Sequence, residues 1–437
     1  MTAAPVTPEG PGLVRALRRR DLVGLLLNAM MGAGMLAAPA KVFGLAGDWS
    51  FVVLAISALI LLPLILCFAD LGSRFTATGG PYVYAGNALP PVVAFSVGWL
   101  LWISQALSVA TLSNLLVSYL AGFIPEISAG LPRLALIAGL GALLTGIVLT
   151  GIRRSAGASN TLVVLKVGFV LAFLVACVAF VQPERLSITS TAPSPITLAQ
   201  AILIYLFAYS GFERGSVVAG ESRDPKRDVP IALIGSVAAV TLAYAAVLLI
   251  CVGVLAVPSA TDRPLAEAGR QVFGPAGALA VSLGAGAVIL GTILGILISM
   301  PRMLLAISEQ GQLPKVLGRV HTHWRTPWVA ILVSSGLSFG FAIFSDLIGA
   351  LTFATATRLV AYILCCIALF RMSRRADAPQ PQFRLPAAGV IALITAALFS
   401  GVLALGATKE LPPLLTVLAI GLACFAFTRL SRRRKAP

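Results

Sequence analysis

Residues Ala199 to Pro230 read AQAILIYLFAYSGFERGSVVAGESRDPKRDVP. This stretch begins as a membrane-spanning helix and ends in a charged loop. Its middle contains Ser210, Gly211, Glu213 and Arg214, where a simple membrane anchor would have leucine and valine. A charged side chain at the centre of a bilayer costs about 2.5 to 3.5 kcal/mol on insertion scales, so such residues usually face a cavity or a partner. The stretch therefore predicts a functional site inside the membrane.

A second interruption lies in the first apolar segment, Leu22 to Gly44, where residues 30–35 read MMGAGM. Small residues replace the branched ones that would keep a spanning helix regular. Irregular backbone at membrane depth is tolerated where it lines a cavity. Two interrupted helices in corresponding halves of a chain therefore indicate the binding site of a transporter.

The composition places the whole chain in a membrane. Of its 437 residues, 58% are apolar and 11% are charged, and the mean hydropathy is +0.97. Soluble domains have about 25% charged residues. Twelve apolar runs approach or exceed the roughly 20 residues that a bilayer demands. The runs are 22–46, 49–69, 92–121, 133–151, 158–181, 196–220, 229–257, 276–300, 327–345, 347–370, 386–407 and 412–428.

The formal charge of +16 reflects topology and not nucleic-acid binding. When alternate loops are assigned to opposite sides, most of the 32 basic residues fall on one side. The positive-inside rule then predicts a multi-pass membrane protein with both termini in the cytoplasm. The same charge would attract anionic lipid.

Neither a cofactor nor a metal is expected. The six cysteines all lie in apolar runs, and none has the spacing of metal ligands. His321 and His323 lie in a predicted cytoplasmic loop and are interpreted as solvated. Glu213 is the one mid-membrane carboxylate that the pattern indicates, without an intramembrane histidine, so an enzyme is disfavoured. A channel is disfavoured as well, because it would need rings or filters repeated around a pore.

Other polar residues within the apolar runs are candidates for binding. Gln105 lies in the third run, where it either contacts a substrate or joins helices. Lys166 lies too deep in the fifth run to reach the surface easily, so it needs a partner. In an intact helix Arg214 would point about 100° away from Glu213, and it would reach Glu221 or cytoplasmic water instead. The role of Arg358, in the tenth run, stays open.

Four motifs together resemble those of the amino acid, polyamine and organocation transporter superfamily, over nearly the whole chain. They are GAGM at 32–35, GGPY at 79–82, SGFE at 210–213 with ESRDPKRDVP at 221–230, and GQLP at 311–314 with TP at 326–327.

The resemblance implies an all-α membrane protein of twelve helices with the leucine-transporter-like fold. Two inverted repeats of five helices would occupy 22–181 and 196–371, with the first and sixth helices unwound at mid-membrane. Two peripheral helices would follow in 386–430. Residues 1–21 and 431–437 would be cytoplasmic tails, and the resemblance implies a location in a bacterial inner membrane.

The resemblance also implies where an amino acid binds. Its carboxylate would bind N–H groups around Ala33 and Gly34, and its amino group would bind carbonyls near Phe207 and Ser210. Lys166 would stand where sodium-coupled relatives hold an ion. Apart from the resemblance, Glu213 at a helix break is predicted to exchange a proton during transport, with anchoring of the broken helix as the alternative. The full predicted substrate site is Met30, Met31, Gly32, Ala33, Gly34, Gln105, Phe207, Ser210 and Gly211.

The implied function is sodium-independent transport of an amino acid by alternating access, driven by protons or by exchange, in a monomer or homodimer. Ile296 stands where arginine-exchanging relatives have tryptophan, and Arg214 is unusual beside the acidic residue of the sixth helix. These departures leave the substrate side chain open. A polyamine or other organic amine transporter of the same superfamily is the alternative.

Overall fold

The computed structural model describes residues 19–75, 79–150, 152–217, 222, 224–324 and 326–433. Glu221, Arg223 and most of the two predicted tails lie outside these residues. The first helices are α1 Arg19–Met30, α2 Ala33–Ala46, α3 Ser50–Arg74, α4 Pro81–Ala88, α5 Pro91–Ala121, α6 Gly130–Leu149, α7 Ile152–Cys177 and α8 Pro195–Ala208. They are followed by α9 Glu213–Val217, α10 Pro225–Val254, α11 Pro264–Glu309, α12 Trp328–Phe344, α13 Leu347–Ser373, α14 Ala388–Gly406 and α15 Leu411–Arg433.

Most of these helices are apolar enough to lie in a membrane. In the described part of the chain, 8 helical stretches are long and apolar enough to cross one. The first of them, Leu22–Arg74, covers 53 residues and includes most of α1 and all of α2 and α3. Shorter apolar helices are Val164–Phe180, Pro195–Ala208 and Trp328–Phe344. The predicted all-helical, multi-pass membrane class is confirmed.

The helical backbone stops within the first apolar run. α1 ends at Met30 and α2 begins at Ala33, and Gly32 between them has φ −129° and ψ −136°. The Gly32 N–H donates to the Met30 carbonyl over 2.9 Å, which is too local a bond for an α-helix. A Cβ atom at Gly32 would lie 3.1 Å from Thr292 Cγ2 on α11, so the absence of a side chain allows close packing here.

A second interruption separates α8, which ends at Ala208, from α9, which begins at Glu213. Gly211 in this turn has φ +111°, a conformation that glycine adopts without steric penalty. A Cβ atom there would lie 2.8 Å from the Ala29 carbonyl oxygen. On the other side, a Cβ atom at Gly34 would lie 2.2 Å from Ala208 Cα. Small residues therefore bring the two interruptions into direct contact.

α5 lies at the centre of the fold. It is buried along nearly its whole length and packs against α11, α12 and α13. By contrast, α6, α14 and α15 expose many large apolar side chains, such as those of Leu131, Leu143 and Phe427. An apolar outer surface of this kind suits contact with lipid.

A buried ion pair ties the end of α3 to the connection between α13 and α14. Arg74 Nε donates to Asp70 Oδ1 over 2.6 Å. Arg74 Nη1 also donates to the Pro379 carbonyl over 2.9 Å, and the Leu385 N–H donates to Asp70 Oδ2 over 3.1 Å. Each charge thus has partners both in α3 and in the loop, as a buried charge requires.

Candidate functional site

A cavity lies where the two helix interruptions meet. The empty volume of this cavity is about 290 Å³, which includes the part of the cavity that is open to solvent. Its wall comes from α1 and α2, from α5, from α8 and α9 with the turn between them, and from α11. The lining residues are Ala29, Met30, Gly32, Ala33, Gly34, Ser108, Leu112, Phe207, Ala208, Ser210, Arg214, Thr292 and Ile296.

Six of the nine predicted substrate residues lie in this wall: Met30, Gly32, Ala33, Gly34, Phe207 and Ser210. The other three are placed behind it. Met31 is buried between α1 and α2, and Gly211 packs against Ala29. Gln105 is buried on α5, about one turn before Ser108, and its Oε1 atom has no hydrogen-bond partner among the described residues.

The start of α2 offers backbone donors to the cavity. N–H groups in the first turn of a helix have no partner within that helix. Ala33 and Gly34 begin α2 and line the cavity, and the preceding Gly32 provides no side-chain cap. The helix dipole also favours negative charge at this end. This part of the wall therefore suits a small anionic group such as a carboxylate.

One tyrosine hydroxyl joins the two interruptions. The hydroxyl oxygen of Tyr244, on α10, lies 2.7 Å from the carbonyl oxygen of Met30 and 2.7 Å from that of Ala208. These residues end α1 and α8. The carbonyls at a helix end lack partners within the helix, so the hydroxyl satisfies one of them at a time and holds both ends together.

We expect Tyr244→Phe to lower the rate of transport about ten-fold, because loss of a buried hydrogen-bond partner costs about 1 to 3 kcal/mol. Tyr209→Phe is the matched control, since the Tyr209 hydroxyl donates to Thr241 Oγ1 over 3.0 Å and contacts neither helix end. Initial uptake rates and thermal unfolding of both variants would be compared. Equal losses of rate in the two variants would show that the link between helix ends has no special role.

Lys166, on α7, is completely buried, with 0% of its surface exposed. Its Nζ donates to the Asn28 carbonyl over 2.9 Å, to Asn28 Oδ1 over 2.8 Å and to Thr292 Oγ1 over 2.8 Å. Asn28 lies in the last turn of α1, where the helix dipole favours a cation, and Thr292 lines the cavity. The sequence predicts that Lys166 needs a partner. Its partners are neutral oxygen atoms beside the first interruption.

Glu213 is the first residue of α9 and is buried behind the cavity wall. Its Oε2 atom accepts hydrogen bonds from the Gly211 N–H over 2.9 Å and from the Tyr362 hydroxyl over 2.8 Å. Its Oε1 atom lies 3.8 Å from Arg358 Nε, within ion-pair distance but beyond hydrogen-bond distance. The carboxylate thus stabilises the turn after α8 and faces a buried arginine.

Arg358, on α13, connects this carboxylate with the cavity wall. Its Nη2 donates to Ser108 Oγ over 3.0 Å, and its Cζ lies 6.0 Å from the centroid of the Phe207 ring, the limit of a cation–π contact. Ser108 and Phe207 both line the cavity. The contacts of Arg358 were not apparent from the sequence, because its partners lie on α5, α8 and α9.

Arg214 lies in the cavity wall and is partly exposed there, a position that the sequence analysis did not predict. The turn from Tyr209 to Phe212 re-aims α9 relative to α8, which an uninterrupted helix would not do. Arg214 Nε is buried and has no hydrogen-bond partner among the described residues. The other predicted partner, Glu221, lies outside those residues.

Comparison with known proteins identifies relatives over nearly the full length. A family model described as "Amino acid permease" matches residues 17–425. The methylthioribose transporter of Bacillus subtilis is 26% identical over 408 residues, which cover 89% of this chain and 87% of that protein. The chloroplastic cationic amino acid transporter 9 of Arabidopsis thaliana is 30% identical over 72% of this chain and 58% of that protein. A branched-chain amino acid permease of Bacillus subtilis is 26% identical over 87% of this chain and 85% of that protein.

Proposed function

The chain belongs to the amino acid permease family, and from this premise we propose that it is a secondary active amino acid transporter that works by alternating access. Transport is driven by protons or by exchange and needs no sodium. The observation that carries the proposal is that two helix interruptions meet at one cavity, as a substrate site at membrane depth requires. The family and the relatives are transporters and not enzymes.

The proposed architecture has twelve membrane spans. The stretch Leu22–Arg74 is long enough for two spans, and the remaining long helices and the three shorter ones supply the others. α1 with α2 and α8 with α9 then form the first and sixth spans, each unwound where it is interrupted. Inverted repeats would cover 22–181 and 196–371, and two peripheral helices would lie in 386–430. The distribution of basic residues supports cytoplasmic termini. The proposed location in a bacterial inner membrane rests on the likeness to bacterial transporters.

The proposed binding mode uses the backbone at both interruptions. The substrate carboxylate binds the N–H groups of Ala33 and Gly34, which start α2. The substrate ammonium binds carbonyl oxygens near Phe207 and Ser210, after the end of α8. Support comes from the positions of these residues in one wall and from the dipoles of the two helix ends.

Two charged residues are proposed to couple transport to its driving force. The buried Lys166 ammonium supplies a fixed positive charge beside the end of α1, where a sodium ion would otherwise be needed. Glu213 takes up and releases a proton during the cycle. Its hydrogen bond from the Gly211 N–H, in the turn between α8 and α9 beside the cavity, supports this role.

Uptake into proteoliposomes would test the proposed function. Purified protein would be reconstituted, and uptake of a panel of labelled amino acids would be measured with an inward proton gradient, with internal amino acid for exchange, and with sodium replaced by choline. We expect saturable uptake of at least one amino acid that does not depend on sodium. Failure to transport any amino acid, or a strict need for sodium, would contradict the proposal.

The relatives are named for different substrates, so they leave the substrate side chain open. One relative is named for methylthioribose, one for cationic amino acids and one for branched-chain amino acids. The side chain must therefore be inferred from the residues of this cavity.

A further inference from the structure

The cavity is surrounded by more positive than negative charge. Arg214 lines it directly, Lys166 reaches it through Thr292, and Arg358 reaches it through Ser108 and Phe207. Among the described residues, the carboxylate that forms an ion pair with any of these three cations is that of Glu213, 3.8 Å from Arg358. Three positive charges and one negative charge leave an excess of two positive charges around a site inside the membrane.

Several nitrogen atoms of the two guanidinium groups also lack hydrogen-bond acceptors. Within the described part of the chain, Arg358 Nε and Nη1 and Arg214 Nε are buried without a hydrogen-bond partner. A guanidinium has five N–H donors and cannot lose its charge in a protein. Buried charged groups without partners are strongly unfavourable, and Arg358 is almost completely buried while Arg214 is partly exposed to the cavity. A ligand that brings both negative charge and acceptor atoms would therefore be stabilised here.

Of the three cations, Arg214 is the one without a close polar partner of its own in the described part of the chain. Lys166 has three acceptors at hydrogen-bond distance. Arg358 faces Glu213 and lies behind Ser108 and the Phe207 ring. Arg214 Nε has no hydrogen-bond partner among the described residues, and the side chain lies in the wall beside Ser210. A zwitterionic substrate with a neutral side chain would leave this guanidinium unpaired, whereas a second carboxylate would pair with it in the planar geometry that arginine favours.

We propose that the transported amino acid is acidic and that its side-chain carboxylate binds the guanidinium of Arg214. This inference rests on the proposed function, and it names the substrate class of the same site. A polyamine or a cationic amino acid would add positive charge beside three cations, so the organic amine alternative is disfavoured by the same observation.

Isosteric ligand pairs test the inference directly. Aspartate and asparagine, and glutamate and glutamine, have nearly the same shape and differ in charge. Their dissociation constants would be measured with purified protein by competition against a bound labelled amino acid. For the wild type we expect the acidic member of one pair to bind at least about ten-fold more tightly, the scale of one charge-assisted hydrogen bond. Arg214→Gln should bring the ratio close to one, and Arg214→Lys should retain part of the preference.

Arg319→Gln is the matched control, because Arg319 is exposed in the loop after α11 and is not among the residues that line the cavity. It should keep the wild-type ratio. A ratio of two dissociation constants is a property of the folded fraction, so partial misfolding of the Arg214 variants does not change it.

The outcomes separate the two claims. If the neutral member of each pair binds as tightly as the acidic one, or if Arg214→Gln leaves the ratio unchanged, the inference is wrong while the proposed function stands. If no amino acid of the panel binds or is taken up, the proposed function is wrong and this inference falls with it. Preference for the acidic member that Arg214→Gln removes supports both.

Discussion

Lys166→Ala is expected to reduce amino acid uptake at least about 100-fold while leaving a folded protein. The substitution removes three hydrogen bonds from a buried ammonium, each worth about 1.5 to 3 kcal/mol, and leaves the Asn28 carbonyl and Thr292 Oγ1 without that donor. It also removes the positive charge beside the end of α1. The first interruption would then lose the charge that stabilises its carbonyl end, and the substrate site beside it would lose its shape.

Initial uptake rates in proteoliposomes containing equal amounts of protein would measure this effect, with gel filtration and thermal unfolding as checks of folding. Lys315→Ala is the matched control, because Lys315 is exposed in the loop after α11. The same preparation tests the proposed role of the charge, since sodium should not stimulate the wild type. Stimulation of the wild type by sodium, or near-normal uptake by Lys166→Ala, would show that Lys166 does not replace an ion.

The positions of the helix interruptions were predictable because they depend on local sequence. MMGAGM at 30–35 and SGFE at 210–213 combine glycine with residues that a lipid-facing helix avoids, and α1 and α8 end at Met30 and Ala208. The class of the protein was predictable from composition for a similar reason. The length of an apolar segment and its near absence of charge are properties of that segment alone. They can be recognised without knowing which other segments it packs against.

The contacts that build the site were not predictable, because they join distant segments. Lys166 is 138 residues from Asn28 and 126 residues from Thr292 along the chain. A hydroxyl group in an apolar helix does not by itself indicate that it binds a charged side chain of another helix. Thr111, for example, donates to the Leu107 carbonyl of its own helix, and Thr292 makes the same kind of bond to Val288 while it also accepts from Lys166.

The direction of Arg214 shows a further limit of sequence reasoning. Helical geometry predicts the angle between the Arg214 and Glu213 side chains within one regular helix. It does not predict what either side chain faces in the folded protein. Their placement in the molecule depends on the turn that separates α8 from α9. Gly211, with φ +111°, sets that turn, and its position is fixed by packing against Ala29. Tertiary packing therefore decided that the arginine lines the cavity and the carboxylate lies behind it.

Glu213→Gln is expected to abolish the response of uptake to an inward proton gradient and to leave exchange partly intact. Glutamine keeps an oxygen that can accept from the Gly211 N–H and the Tyr362 hydroxyl, which hold the carboxylate at present. It cannot gain or lose a proton, and it carries no negative charge opposite Arg358. If Glu213 takes up a proton when the site closes, acid favours the closed state in the wild type, because proton binding and closure are reciprocally linked. In the variant that linkage is absent, so uptake should be nearly independent of pH.

The measurement is the ratio of uptake with and without the proton gradient, together with the pH profile of exchange, for the wild type and the variant. Glu267→Gln is the control, since Glu267 also pairs with an arginine, Arg270, but on the surface of α11. The alternative role of Glu213 is to balance the charge of Arg358. Removing one partner of a buried ion pair destabilises a protein by about 3 to 5 kcal/mol. That role alone predicts a different result: Glu213→Gln would unfold at lower temperature and transport more slowly by the same factor at every pH. A parallel loss of this kind, with the response to the gradient retained, would rule out Glu213 as the proton-coupling residue.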